Sequence, residues 1–248
     1  MSQNKLSDED LEGYLAARNF AKGICNEIVS NIKAGMTEKE VEEVVSEVFH
    51  TNDVKQHWHM PIIGVGEGST KLRSAFALAS SYLTKGMRIL QENDLVLIDI
   101  APVYNGYPAD YTTSHVMGSN PELEALAAFA HDVSHRIAGH VSEGMVVADV
   151  FFWAKELIQK NPEYTLVFPP LVSMGHRLCR MPPLWQRFPE AGLNYLLFKA
   201  SGPFLTSSNN TTMSGLWVIE PYLLYKERAS KFETLVYIGK ETRILDAG

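Results

Sequence analysis

The sequence predicts an α+β fold made of two pseudo-symmetric halves, each a helix pair followed by antiparallel strands. Three observations carry this prediction. Between Asp8 and His50, apolar residues recur at helical spacing. The same pattern returns 109 residues further on. After each helical stretch come short runs rich in branched and aromatic residues, punctuated by turn signals.

Tyr14, Ala17, Phe20, Ile24, Ile28 and Ile32 line one face of the first helix, and Val41, Val44, Val45 and Val48 line the second. Ala34-Gly35 separates the two, and Thr37 with Glu40 three residues later forms a capping box that starts the second. At the 109-residue offset Phe20-Ala21 meets Phe129-Ala130, Ile24 meets Val133, Ile28 meets Ile137, Ile32 meets Val141, Gly35-Met36 meets Gly144-Met145 and Val41 meets Val150. So many matches at one offset indicate an internal duplication. The strand-like segments are "MPIIGVG" and "DLVLIDIAPVYNGYPADYTTSHVMG" in the first half. In the second they are "YTLVFPPLVSMG" and "GLWVIEPYLLYKERASKFETLVYIGKETRIL". The polar stretch from Gly202 to Gly215 is expected to be a surface loop. No Pro/Gly/Ser linker divides the halves, so residues 1–248 are expected to form a single domain, without a separate N-terminal domain.

With 22 Lys and Arg against 29 Asp and Glu, the net charge is −7, which gives no electrostatic footprint for nucleic acid or an anionic membrane. Cys25 and Cys179 lie far apart and suggest neither a disulfide framework nor a cysteine zinc site. The polar N-terminus has no apolar signal core, and no stretch approaches eighteen consecutive apolar residues. Cytoplasm is the expected compartment and a small molecule or small peptide the expected partner, with a homodimer left open.

Asp99 stands between Ile98 and Ile100 in a run that reads as buried strand, where a bare carboxylate is costly. Asn105-Gly106 signals a two-residue hairpin turn. With Tyr104 and Tyr107 flanking it, Thr112 faces Asp99, and Asp110 becomes the diagonal neighbour of Asp99 on one face. Two like charges so placed repel unless a cation lies between them. Glu220 in "LWVIEPYLL" and Glu233 in "SKFETLVYIG" repeat the situation, and share a face if an even-length loop in "YKERAS" joins their strands. Four such carboxylates meeting at the centre point to hard divalent metal, with two ions as the expectation.

These residues resemble the methionine aminopeptidase, prolidase and creatinase superfamily. The resemblance rests on Asp99, Asp110 eleven residues later beyond a glycine turn, His176 in "SMGHRL", Glu220 in "VIEPY" and Glu233 in "KFETL", in that order. "IKAGMTEKEVEEVVSEVF" adds to it. It implies the duplicated pita-bread fold around a dinuclear site, with Asp99, Asp110, His176, Glu220 and Glu233 as metal ligands. It further implies a metallopeptidase-like hydrolase that cleaves a peptide or amide C–N bond as aminopeptidases and Xaa-Pro peptidases do. A hydroxide bridging the metals would be the nucleophile, and Glu220 would relay the proton. The oxygen-rich shell suits manganese, iron or cobalt, with zinc also admissible.

Peptidase members carry further imidazoles before the first metal aspartate and seven residues beyond the metal histidine. Here Leu72 and Arg73 stand near the first place and Pro183 at the second. His57 and His59 in "KQHWHMP" are the substitutes, expected to share one strand face and to act beside Glu220, with His59 ahead. Arg177 and Tyr107 are candidate substrate contacts. The departures support an alternative reading, a superfamily member repurposed for small-molecule chemistry such as creatinase-like amidine hydrolysis or a metal-dependent oxidative or lyase step.

Overall fold

The structure, a computed structural model, describes residues 5–73, 83–84, 86–167, 173–180 and 204–245. Pro183 and the first residues of the Gly202–Gly215 stretch lie outside them.

Helix α1 (Asp8–Asn31) starts in a capping box, the Ser7 hydroxyl accepting from the Asp10 amide while the Asp10 carboxylate accepts from the Ser7 amide. Helix α2 (Glu38–Thr51) starts in the box expected of Thr37 and Glu40. In the second half, α3 (Pro121–His140) is capped by Asn120. Helix α4 (Val147–Gln159) has no side-chain cap. Its first amides, from Val147 and Ala148, donate instead to the carbonyls of Thr211 and Asn209 at 2.9 Å. The stretch expected to be a surface loop therefore caps a helix, and it buries Leu205 and Met213.

The duplication is visible in backbone detail. The Ile32 amide donates to the Ile28 carbonyl to end α1, and the Val141 amide donates to the Ile137 carbonyl to end α3. Gly35 and Gly144 take φ of 94° and 89° in the turns that follow. Thr37 then bridges Ile89, as Val146 bridges Thr212. Ile28, Ile32, Gly35 and Thr37 each stand 109 residues before Ile137, Val141, Gly144 and Val146, whereas the bridge partners Ile89 and Thr212 do not keep that offset.

In the first half, β1 (Ile62–Val65), β2 (Leu95–Ile100) and β5 (Tyr111–Val116) make an antiparallel sheet in the order β1-β2-β5, with Asp99 opposite Thr112. Between β2 and β5, strands β3 (Val103–Tyr104) and β4 (Tyr107–Pro108) form the predicted hairpin. Asn105 and Gly106 carry the positive φ its turn requires. The second half supplies β6 (Thr165–Leu166), β7 (Gly175–Arg177), β8 (Gly215–Ile219), β9 (Tyr222–Tyr225), β10 (Arg228–Lys231), β11 (Thr234–Ile238) and β12 (Thr242–Ile244). They form sheets in the orders β12-β11-β8-β7 and β10-β9-β6. Tyr225 opposes Arg228 across the two-residue turn Lys226-Glu227, so the loop in "YKERAS" is even in length, as expected.

Strand β2 is buried on both faces. Val96, Ile98 and Ile100 pack beneath α1 and α2, whereas Leu95 and Leu97 join the core of the second half with Trp217 and Val236. Truncating Ile98 to alanine removes about 2–5 kcal/mol at such a site. Asp99 shares the second face, and so points to where the halves meet. Among the described residues no helix is long and apolar enough to cross a membrane.

Candidate metal centre

Asp99 projects from β2, and Asp110 from the break in pairing between β4 and β5. Glu220 follows the last residue of β8, and Glu233 stands between β10 and β11. His176 comes from β7. That strand lies so close to β8 that any side chain at Gly175 would run into the Val218 carbonyl, and this approach sets the position of the imidazole. The five residues expected to be metal ligands thus converge from both halves. Asp99, Asp110, His176 and Glu233 are buried, while Glu220 is the most open of the four carboxylates.

Asp110 is held between two imidazoles. His176 Nε2 lies 2.9 Å from Asp110 Oδ2, and His59 Nε2 lies 3.2 Å from Oδ1. His176 Nε2 is also 3.6 Å from Glu220 Oε1, and His59 Nε2 is 3.5 Å from Asp99 Oδ1. The other ring nitrogen of each histidine is turned to a backbone carbonyl, His59 Nδ1 to Met60 at 2.8 Å and His176 Nδ1 to Arg177 at 3.1 Å. Carbonyls only accept, so Nδ1 carries a proton and Nε2 is the atom offered to the centre. Trp58 wedges between the two, its ring edge-on to His59 and His176 at 4.9 and 5.0 Å, and its Nε1 donates to the Ala109 carbonyl.

Lys231 enters the same centre. Its Nζ lies 2.8 Å from Asp99 Oδ2, 2.6 Å from Glu220 Oε2 and 2.9 Å from Glu233 Oε1. Thr112 donates to Glu233 Oε1 at 2.6 Å. From α1, buried Arg18 donates to the backbone carbonyls of Asp110 and Glu233, tying the two breaks together.

The charges shift one another. Burial lowers the His59 pKa, but the Asp99 and Asp110 carboxylates outweigh it and push it up to about 9. His176 moves up against the same burial, through its hydrogen bond with Asp110 and the charge of Glu220. Burial disfavours the Asp110 carboxylate, yet the hydrogen bonds from His176 and His59 hold it far below the usual range. Burial, with the charge of Asp110, pushes Glu233 up to about 8, and Lys231 opposes them. Burial disfavours the Lys231 ammonium, but Asp99, Glu220 and Glu233 keep its pKa well above the ordinary lysine value.

The donor set fits a metal ion. Asp99 Oδ1 and Glu233 Oε2 are buried carboxylate oxygens without a hydrogen-bond partner, which is costly unless a cation completes them. Ligand atoms of His59, Asp99 and Asp110 all lie within 4.8 Å of one another.

The remaining sequence candidates sit around this centre. His57 bridges Pro102 and stacks on Phe49 of α2 at 4.8 Å, and burial pushes its pKa down to about 4. The strand begins only at Ile62, so the shared-face expectation for His57 and His59 lacks its strand. Tyr107 packs edge-on to Tyr14 and donates to Asp10, with Arg180 over its ring. Arg177 is half-buried beside Gly215. Sequence reasoning missed Lys231, Arg18, Trp58 and Thr112.

A family model described as metallopeptidase family M24 matches residues 12–238. An uncharacterized peptidase of Staphylococcus aureus is 28% identical over 180 residues, covering 71% of this chain and 47% of that protein. Among solved structures, a prolidase from Thermococcus sibiricus superposes with a TM-score of 0.72 at 16% identity, over 99% of this chain and 61% of its own. A methionine aminopeptidase from Thermotoga maritima superposes with a TM-score of 0.65 at 17% identity, over 99% of both chains. This chain therefore spans about half the length of the staphylococcal relative and about three fifths of the prolidase, but matches the aminopeptidase end to end.

Proposed function

Because the chain belongs to metallopeptidase family M24, with its pita-bread fold, we propose that it is a metal-dependent hydrolase acting on a C–N bond of a small peptide or amide. The observation that carries this reading is the convergence of Asp99, Asp110, Glu220, Glu233, His59 and His176 on one buried centre, with Asp99 Oδ1 and Glu233 Oε2 lacking a hydrogen bond. The ligands of the metal would come from among these six residues. The mixed oxygen and nitrogen donors suit manganese, iron or cobalt. A bound divalent ion supplies a Lewis acid that polarises a carbonyl and makes water nucleophilic near neutral pH. How many ions the centre takes, against the two expected from the sequence, turns on Lys231.

The protein's own part is positioning and proton movement. Asp110 lies between the two imidazoles, its Oδ1 facing His59 Nε2 and its Oδ2 facing His176 Nε2, and so gathers both ring nitrogens at one centre. Glu220, the most open carboxylate, would take a proton from water at Oε1 and deliver it to the leaving nitrogen. Arg177, directly after His176, would meet an acidic or polar group of the substrate. His57 and Tyr107 are held by Phe49 and by Asp10 and Tyr14, so a role in substrate binding falls to them after Arg177. Leu72 and Arg73 lie in the 3-10 helix Gly66–Arg73, where peptidase relatives would place an imidazole, and this favours a small amide or amidine as the second reading. Cys25 and Cys179 are both free thiols, in keeping with a reducing cytoplasm.

The test is turnover of Xaa-Pro dipeptides, N-terminal methionine peptides and small amides by protein loaded with manganese or cobalt. Loss of Asp110 removes several kcal/mol of metal-dependent stabilisation, so Asp110→Ala is expected to lower turnover about a thousandfold. Activity that survives this substitution, or that is unaffected by chelators, refutes the reading.

A further inference from the structure

We propose that the ammonium of Lys231 takes the place of one of the two metal ions, so that the chain holds a single divalent ion at His59, Asp99 and Asp110. This rests on the metal-dependent reading above. It begins from the symmetry of the two hairpins. Asp99 stands six residues before the turn Asn105-Gly106, and Asp110 four residues after it. Glu220 stands six residues before the turn Lys226-Glu227, and Lys231 four residues after it. The first hairpin thus pairs acid with acid, and the second pairs acid with base.

The contacts follow that difference. In the second hairpin Lys231 Nζ bonds Glu220 Oε2 at 2.6 Å, and it reaches Glu233 Oε1 and Asp99 Oδ2 as well. Those three oxygens are satisfied by a cation the chain already carries. In the first hairpin Asp99 Oδ1 is left without a hydrogen bond, 3.5 Å from His59 Nε2. Among the described residues the group with ligand atoms all within 4.8 Å of one another is His59, Asp99 and Asp110, so three donors gather on that side, whereas Glu233 Oε2, the other carboxylate oxygen without a hydrogen bond, belongs to a carboxylate that Lys231 and Thr112 already hold at Oε1.

Net charge does not choose between one ion and two. Four carboxylates and one ammonium leave −1 with one divalent ion and +1 with two. Placement does choose. The ammonium lies against one oxygen each of Asp99, Glu220 and Glu233, and a dication set among those same three carboxylates in one buried site would be repelled strongly by it. Nor is Lys231 loosely held. It is buried, and the Ser114 hydroxyl lies at 3.3 and 3.4 Å from its backbone carbonyl and amide.

The experiment is metal stoichiometry, read by native mass spectrometry and by elemental analysis of the protein equilibrated with excess manganese or cobalt. Wild-type protein is expected to saturate at one ion per chain and Lys231→Met at two, with Lys231→Gln as the companion should the methionine variant fold poorly. His59→Phe is expected to weaken the wild-type site by about a hundredfold or more, in a competition titration against a chelator. Two ions per wild-type chain, or one ion in a folded Lys231 variant, overturns the inference and leaves the hydrolase reading standing. No ion in the wild type overturns both.

Discussion

Arg18, in the first helix, donates a hydrogen bond to the backbone carbonyl of Glu233, 215 residues away. A second bond, at 2.7 Å, goes to the carbonyl of Asp110. One guanidinium thereby fixes the two breaks in strand pairing from which opposite halves of the chain send carboxylates into the centre. Replacing it with methionine leaves two buried carbonyls unsatisfied, at about 1–3 kcal/mol each. Arg18→Met is expected to lower stability by about 2–5 kcal/mol in denaturant titrations and to weaken metal binding as the breaks loosen. A change below about 0.5 kcal/mol would mean that water or a neighbour replaces the guanidinium, and that the tie is dispensable.

Trp58 gives a second handle on the same geometry. Its ring touches the edges of His59 and His176, and its indole nitrogen is anchored to Ala109, next to Asp110. Alanine at 58 frees both imidazoles, whereas phenylalanine keeps most of the wedge and loses the anchor. Loss of ligand orientation costs about 10–100-fold in metal affinity. Trp58→Ala is therefore expected to bind cobalt in that range more weakly than wild type, with Trp58→Phe between them. Equal affinity for all three proteins would show that the wedge does not orient the imidazoles.

The parts of this site that sequence made legible are those governed by strand register. Asn105-Gly106 dictated the turn, the turn dictated that Asp99 opposes Thr112, and both are observed. The 109-residue repeat located both helix pairs down to their C-terminal turns. What escaped was side-chain traffic between distant elements. Arg18 left a trace, for it falls on the stripe of Tyr14, Ala21 and Cys25 at helical spacing, an unusual place for a guanidinium. Lys231 left a fainter one, two residues before Glu233 in the closing strands. His57 and His59 share a face only if the strand rule applies to them, but the strand starts three residues beyond His59, and it is loop geometry that brings His59 against Asp110.

Gly175 tests how closely β7 must approach β8. A methyl group there meets the carbonyl of Val218, which is backbone and has little room to yield. Gly175→Ala is expected to cost about 1–3 kcal/mol by forcing the strands apart, and to displace the adjacent His176. Denaturant titration reads the first effect and the manganese affinity the second. An alanine variant as stable as wild type and with unchanged affinity would show that β7 has slack.

The metal-free protein should have a pH dependence set by the centre's own charges. His59 rises from 6.5 to about 9 on folding, so its contribution is fully present below pH 6.5 and is lost as pH climbs through 9. Glu233 rises from 4.5 to about 8, and its contribution is likewise lost as pH climbs through 8. Asp110 moves the other way, and its contribution disappears only in acid, below the range in question. The His59 change alone corresponds to about 3 kcal/mol, which for a chain of this size is roughly 6–12 °C in melting temperature. Chelator-treated protein is therefore expected to melt progressively lower between pH 6.5 and 9. Saturating manganese should remove or reverse that slope, because an ion binds the deprotonated imidazole and carboxylates and favours them as pH rises. A melting temperature that stays level or climbs over this interval in chelator-treated protein would mean that His59 is not held as a cation between Asp99 and Asp110.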